Sequence, residues 1–193
     1  MEYASTELRS ERTFVLFKPD ALARRLVPEL LERLTRGGAT MVACKMTMAT
    51  KELLRGHFPQ TNAWASAVGE KTLSTCSEHG IDLEEVFGTT NLIAIGNWVR
   101  MWGVEYLMSG PVMPVILEGA DAIQRTRTML GHTMPNLAPA GTIRGDLGND
   151  TGPLATIERR AVWNLVHASE DAEDAMREIA NWFSEDEIIT TTN

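Results

Sequence analysis

Apolar positions along this chain follow two spacings, one of strands and one of helices. ERTFVLF, from Glu11, is a run of aromatic and branched residues that breaks at Pro19, which predicts a buried strand with Lys18 at its end. Leu22, Leu26, Leu30, Leu31 and Leu34 then recur at helical spacing, with Asp20 placed to cap that helix and Gly37 and Gly38 to stop it. ATMVACKMTM predicts a second strand and KELLRGHF a short helix. From Pro59 to Trp98 the pattern loosens, punctuated by Gly69, Gly80, Gly88 and Gly96; TNAWASAVGEKTLSTCSEH predicts one helix and NLIAIGNWVRMWGVEYL another. SGPVMPVILEG predicts a third strand with DAIQRTRTMLG as a helix behind it. TMPNLAPAGTIRGDLGNDTGPL is rich in Gly and Pro and predicts a loop. ERRAVWNLVHASED predicts a turn or short helix leading into a fourth strand that ends near His167. Ser169 is placed to cap a last helix whose apolar face is Ala172, Ala175, Met176, Ile179 and Trp182. Strands alternating with helices, plus an inserted helical region, predict one α/β sandwich with helices packed on a small sheet. The pairing order of the strands is not contained in this pattern.

Composition narrows the function more than the fold. The chain has 193 residues, 44% hydrophobic and 23% charged, the make-up of an ordinary globular domain. A net charge of −8, from 18 basic and 26 acidic residues, argues against nucleic-acid binding, which needs a basic face to displace counterions. MEYASTELRS lacks a positive start followed by an apolar core, so residues 1–10 are expected to be a polar tail rather than a signal peptide. No apolar run is long enough to suggest a membrane span. Cys44 and Cys76 do not form a metal or disulfide pattern, and a reducing cytoplasm is the expected setting.

The usual nucleotide signatures, GxxxxGK[ST] and GxGxxG after a strand, are missing, as are HExxH and paired CxxC. What remains is a scattered set of cations, Lys18, Arg127 and Arg144. Arginine suits phosphate oxygens because its planar fork donates two parallel hydrogen bonds, yet each of these residues taken singly reads more readily as a solvated surface charge. His167 likewise has two readings: an interior histidine donating to a carbonyl, or a neutral imidazole acting as nucleophile near neutral pH. Glu178, on the helix after Ser169, is a candidate partner that orients it, or else an exposed carboxylate.

Five motifs occur in a telling order: KPD at Lys18–Asp20, SGPV at Ser109–Val112, MLGHT at Met129–Thr133, GTIRGD at Gly141–Asp146 and NLVHAS at Asn164–Ser169. Together they resemble the nucleoside diphosphate kinase family, from about Glu11 to Phe183. The resemblance implies a ferredoxin-like αβ sandwich with a four-stranded antiparallel sheet. It implies reversible transfer of the terminal phosphoryl group of a nucleoside triphosphate, mainly ATP, to a nucleoside diphosphate through a phosphohistidine, by a ping-pong mechanism. By position, His167 would be phosphorylated, with Ser169 and Glu178 supporting it. Lys18, Arg127 and Arg144 would contact phosphates, Thr133 would donate its hydroxyl to them, and Asn164 would touch the ribose and phosphate region. Phe58 takes the place where the family usually has Tyr. Mg²⁺ would arrive with the nucleotide, no residue being expected to ligate it directly, and a dimer-based homo-oligomer, tetramer or hexamer, is expected. The alternative is a non-catalytic nucleotide-binding or regulatory member of the same fold.

Several features depart from the family pattern. The single domain expected over residues 11–185 carries insertions at about 59–98 and 147–159, with a C-terminal tail over 186–193. A family Phe that stacks on the base falls at Met101 in an ungapped reading back from SGPV, with Trp98 and Trp102 as nearby substitutes or as core residues. Ala140 stands where the family has Pro before GTIRGD, and Ala168 where Gly commonly follows the histidine.

Overall fold

The computed structural model describes residues 10–190, so the polar N-terminal segment lies outside the described residues up to residue 9. Strand β1 (Ser10–Phe17) occupies the middle of the sheet. It pairs antiparallel with β4 (Pro111–Ala120) on one side and with β5 (Val166–Ala168) on the other. Strand β2 (Thr40–Cys44) pairs antiparallel with the far edge of β4, and the two-residue β3 (Thr47–Met48) continues along that edge. The order β2-β4-β1-β5 is that of a ferredoxin-like sandwich.

Alternation along β1 explains the two layers. Val15 and Phe17 face one cluster, built with Leu30 and Leu34 of α2 (Val27–Arg36) and Leu130 of α7 (Ala122–Leu130). Phe14 and Leu16 face the opposite cluster, with Leu54 of α3 (Lys51–His57), Leu107 of α6 (Leu92–Met108) and Trp182 of α10 (Ala172–Trp182). All four β1 side chains are fully buried, as the period-2 geometry of a strand covered on both faces requires.

The long wall beside this sandwich is a helical pair, α4 (Asn62–His79) packed along α6, with α5 (Leu83–Phe87) in the connection that joins them. The two long helices touch backbone to backbone. A methyl group on Gly69 would overlap the carbonyl of Leu92, and one on Gly96 would overlap that of Ala65. Phe87 stacks on Trp102 at 5.2 Å and, with Ile95, forms a small core separate from the sheet.

Several sequence expectations are corrected. The helix after Lys18 is two: α1 (Pro19–Ala23) is followed by the left-handed Arg25 (φ 58), and α2 restarts at Val27, one residue before Pro28, which thereby falls in a first turn instead of clashing with the Arg24 carbonyl inside a continuous helix. Asp20 does not cap; Lys18 holds the cap position, and the Asp20 carboxylate accepts from Tyr106 Oη at 2.5 Å and from the Leu165 amide at 3.1 Å. ATMVACKMTM is divided between β2 and β3, with a register shift between Met41 and Ala43. The segment expected to be loop contains a 3₁₀ turn at Pro135–Leu137, α8 (Ile143–Leu147) and α9 (Gly152–Ile157). Thr142 and Thr151 cap α8 and α9, which are too short to show a period. Asp171, not Ser169, caps α10. Beyond α10, Ile188 packs against the second core cluster and the Ile189 amide donates to Val42.

Candidate active site

Strand β5 is three residues long and is preceded by a forced turn. Leu165 is buried with φ 67, a left-handed conformation that costs a branched residue roughly 1–2 kcal/mol. Two hydrogen bonds hold it there, its amide donating to Asp20 Oδ2 and its carbonyl accepting from the Lys18 amide at 2.9 Å, beside the buried Asn164. The turn carries Asn164 and His167 into one cleft of 410 Å³ at the end of the β1 and β5 strands.

His167 is half-buried, and its Nε2 lies 2.7 Å from Glu178 Oε1. A carboxylate only accepts, so Nε2 carries the proton and the lone pair is left on Nδ1. Glu178 is almost wholly buried on the inner face of α10, in line with Ala175 and Trp182 at helical spacing. Its second oxygen accepts from Ser169 Oγ at 2.7 Å, and the Phe14 amide donates to Ser169 Oγ at 3.3 Å. The imidazole is therefore fixed through Glu178 and Ser169 to the central strand.

Cations face it from across the cleft. Lys18 Nζ donates to Asn164 Oδ1 at 2.6 Å, and Asn164 Nδ2 donates to the Thr133 carbonyl at 2.8 Å. Burial first, and then the Arg144 charge, lower the Lys18 pKa to about 8, against an opposing pull from Asp20. Arg144 is buried and donates to the carbonyls of Asn164 (3.3 Å), Gly131 (3.0 Å) and Val166 (2.6 Å). Three of its five N–H groups are thereby used, and two remain for an anion. Burial, followed by repulsion from Arg127, brings its pKa down to about 10. Arg127 stands more exposed at the rim, 3.8 Å from Glu170.

Lys18, Phe58, Arg127, Thr133, Arg144, Asn164, His167 and Glu178 thus line one cleft, with Ser169 behind Glu178. Met101 is not among the residues that line it: it lies on α6, two-fifths exposed, and no residue of α6 lines the cleft. Trp102 is committed to the small core under α5, and Trp98 is likewise absent from the cleft lining.

Among the lining residues not singled out from sequence are His57, Trp64, Lys71 and Arg177. Trp64 and Lys71 lie seven residues apart on α4, two turns along one face. Arg100 sits 5.8 Å over the Trp64 ring and donates to the Pro59 carbonyl, which ties the aromatic end of the cleft to α6. Arg177 donates to the carbonyls of Gly56 and His57 and so pins α3 to α10. A seven-residue spacing on a predicted helix was a signal for the first pair, but nothing in the pattern said which face meets the cleft.

The family model for nucleoside diphosphate kinase matches residues 11–68 and 102–188. This chain belongs to the nucleoside diphosphate kinase family. The family's activity, phosphoryl transfer between nucleotides, is the activity of this enzyme. It is 40% identical to a nucleoside diphosphate kinase of Pyrobaculum aerophilum over 179 residues, 93% of this chain and 98% of that one. Human nucleoside diphosphate kinase 3 is 35% identical over 93% of this chain and 80% of its own length. Among solved structures, an NDP kinase from Pyrobaculum aerophilum superposes with a TM-score of 0.92 at 39% identity, covering 94% of this chain and 100% of that one. A transition-state mimic of the Borrelia burgdorferi nucleoside-diphosphate kinase with bound vanadate and ADP gives 0.75 at 27% identity, over 95% and 93% of the two chains. The stretch between the two matched segments, residues 69–101, holds most of α4, all of α5 and the start of α6.

Proposed function

We propose that His167 carries the phosphoryl group between two nucleotides that use the 410 Å³ cleft in turn. The observation that carries this reading is the 2.7 Å contact between Nε2 and the buried Glu178, because it leaves Nδ1 with the lone pair. Nδ1 attacks the terminal phosphorus of the triphosphate, the bond to the bridging oxygen breaks, and the diphosphate leaves. A terminal oxygen of the second diphosphate then attacks the phosphohistidine, the P–N bond breaks, and His167 regains its lone pair. Glu178 and Ser169 position the ring; they do not touch substrate.

Lys18, Arg127 and Arg144 offset the negative charge on the transferred group, which spreads over its equatorial oxygens in the transition state. Thr133 and Asn164 hold the phosphate and ribose region. Mg²⁺ belongs to the substrate as the metal–nucleotide complex, where it withdraws charge from the phosphates. The bound vanadate and ADP of the Borrelia relative support the same reading by likeness. Trp64, with Phe58 at 6.3 Å, supplies the aromatic surface for the base in place of Met101.

A homo-oligomeric, cytoplasmic enzyme fits the remaining features. Strand β2 is a sheet edge flanked by the exposed Met41, Met46 and Met48, and both cysteines are free thiols. Among the described residues no helix is long and apolar enough to cross a membrane. The direct test is incubation with magnesium and ATP labelled at its terminal phosphate. The chain takes up an acid-labile, base-stable label, and His167→Ala takes up none; an unlabelled wild-type chain with an intact circular dichroism spectrum overturns the reading.

A further inference from the structure

His57 is buried beside the reaction centre, yet the phosphoryl transfer described above makes no use of it. Its side chain is 4% exposed, and Nδ1 has no hydrogen-bond partner. Buried polar atoms without partners are rare in folded proteins, so this nitrogen needs an account. It lies 3.5 Å from Glu178 Oε1, the same oxygen that meets His167 Nε2 at 2.7 Å. The His57 and His167 rings meet edge to face at 4.7 Å, and Phe14 and Trp182 wall the His57 ring at 6.0 and 5.8 Å. One ring nitrogen from each histidine and one Glu178 oxygen all fall within 4.8 Å of one another. Burial of the ring disfavours its charged form, and the neutral imidazole is the form that binds metals.

We infer that His57, His167 and Glu178 form a site for a zinc-like divalent ion, distinct from the magnesium carried by the nucleotide. Two imidazoles and one carboxylate are the three-ligand set of an open zinc site, with a fourth position left for an exogenous group. Ligand bonds of about 2.0–2.1 Å in a tetrahedron set donor atoms roughly 3.3 Å apart. The 3.5 Å separation of His57 Nδ1 and Glu178 Oε1 already matches this. The 2.7 Å contact of His167 must open by a few tenths of an ångström as the ion takes the place of the proton that bridges Nε2 and Glu178. The ion replaces the proton on His167 Nε2, which leaves to solvent, and it enters from the cleft that all three residues line. Magnesium does not compete here, because it keeps hard oxygen ligands and an octahedral shell. Zinc on Nε2 draws electron density from the ring and weakens attack by Nδ1. That consequence, unlike the binding itself, rests on His167 being the phosphoryl carrier.

The test uses the full chain stripped of metal, with zinc chloride as the probe and cobalt(II) as its spectroscopic stand-in, in the absence of nucleotide. One ion binds per chain by equilibrium dialysis, and cobalt gives the intense visible bands of four-coordinate geometry. His57→Gln and His167→Ala each weaken binding at least tenfold, whereas Cys44→Ser leaves it unchanged. Stoichiometric zinc suppresses labelling by magnesium ATP at least tenfold in the wild type, and dialysis against a chelator followed by fresh magnesium restores it. Absence of stoichiometric binding in the folded wild type overturns the site, as does binding that survives both histidine substitutions or that is lost with Cys44. A chain that binds zinc but takes no label rejects phosphoryl transfer alone, and one that takes label but binds no zinc rejects the metal site alone.

Discussion

The two ends of the cleft are built on different principles. At the phosphate end the polar groups around the reaction centre are cross-braced: His167 to Glu178, Glu178 to Ser169, Lys18 to Asn164, Asn164 to the Thr133 carbonyl, and Arg144 to three further carbonyls; the buried His57 Nδ1 is the exception. These residues come from the ends of β1 and β5 and from α7, α8 and α10, all within the stretches that match the family. At the aromatic end Phe58, Trp64 and Lys71 stand on α3 and α4, partly or fully exposed, and are held by one arginine and a glycine-lined helix crossing. Chemistry that depends on tenths of an ångström is placed where the backbone over-determines it. Recognition of a base, which relies on stacking, tolerates a looser wall that a different sequence can rebuild.

Breaking the braced end has the largest effect. Arg144→Ala strands three carbonyl acceptors in a buried position and removes the phosphate contact proposed for it. It lowers the unfolding free energy by roughly 3 kcal/mol or more, read by urea denaturation, and turnover falls with it. Gly69→Ala attacks the other end by wedging α4 off α6 against the Leu92 carbonyl. Overpacking of this kind costs about 1–3 kcal/mol. The mutant retains phosphohistidine formation but shows a higher KM, so a labelling assay and a KM measurement separate wall from chemistry. Trp64→Ala raises KM about tenfold with kcat nearly unchanged, since stacking on a base contributes roughly 1–3 kcal/mol. Met101→Ala is the control, and it leaves KM within a factor of about two, the ordinary range for a surface substitution. An increase at Met101 equal to that at Trp64 returns the base to α6.

The smallest expected effect is a pH dependence confined to the braced end. With its pKa near 8, free Lys18 is an ammonium below that pH and neutral above it. Its attraction for phosphate is therefore present at pH 7 and fades as pH rises past 8. Bound phosphate keeps the ammonium charged, so the loss appears as a rising KM of a few fold rather than a falling kcat. Lys18→Arg, whose guanidinium stays protonated, flattens the profile.

How much of this was legible in the sequence follows the same division. The β1 run, the leucine spacing of α2 and the apolar face of α10 announce themselves because each buries one face against a single core. The phosphate end was legible as motifs, since KPD, GTIRGD and NLVHAS place short strand ends and turns whose backbone bonds are local. What misled was short or non-periodic. Arg25 breaks a leucine pattern that reads as one helix, and the capped turns α8 and α9 sit inside a Gly- and Pro-rich stretch. Ser169 has the chemistry of a cap but spends its hydroxyl on Glu178, two residues before the true cap at Asp171. The aromatic end was not legible, because nothing local to Trp64 or Met101 records how the α4–α6 pair is laid against the sandwich.

The most direct measurement is a chase of the isolated phosphorylated chain. After labelling with terminally labelled ATP and removal of nucleotide, the chain is mixed with an unlabelled nucleoside diphosphate and magnesium. The account predicts that the label maps to Nδ1 of His167 and moves stoichiometrically into the new triphosphate within a single turnover. Label on any other residue, or label on His167 that the diphosphate does not discharge, contradicts it.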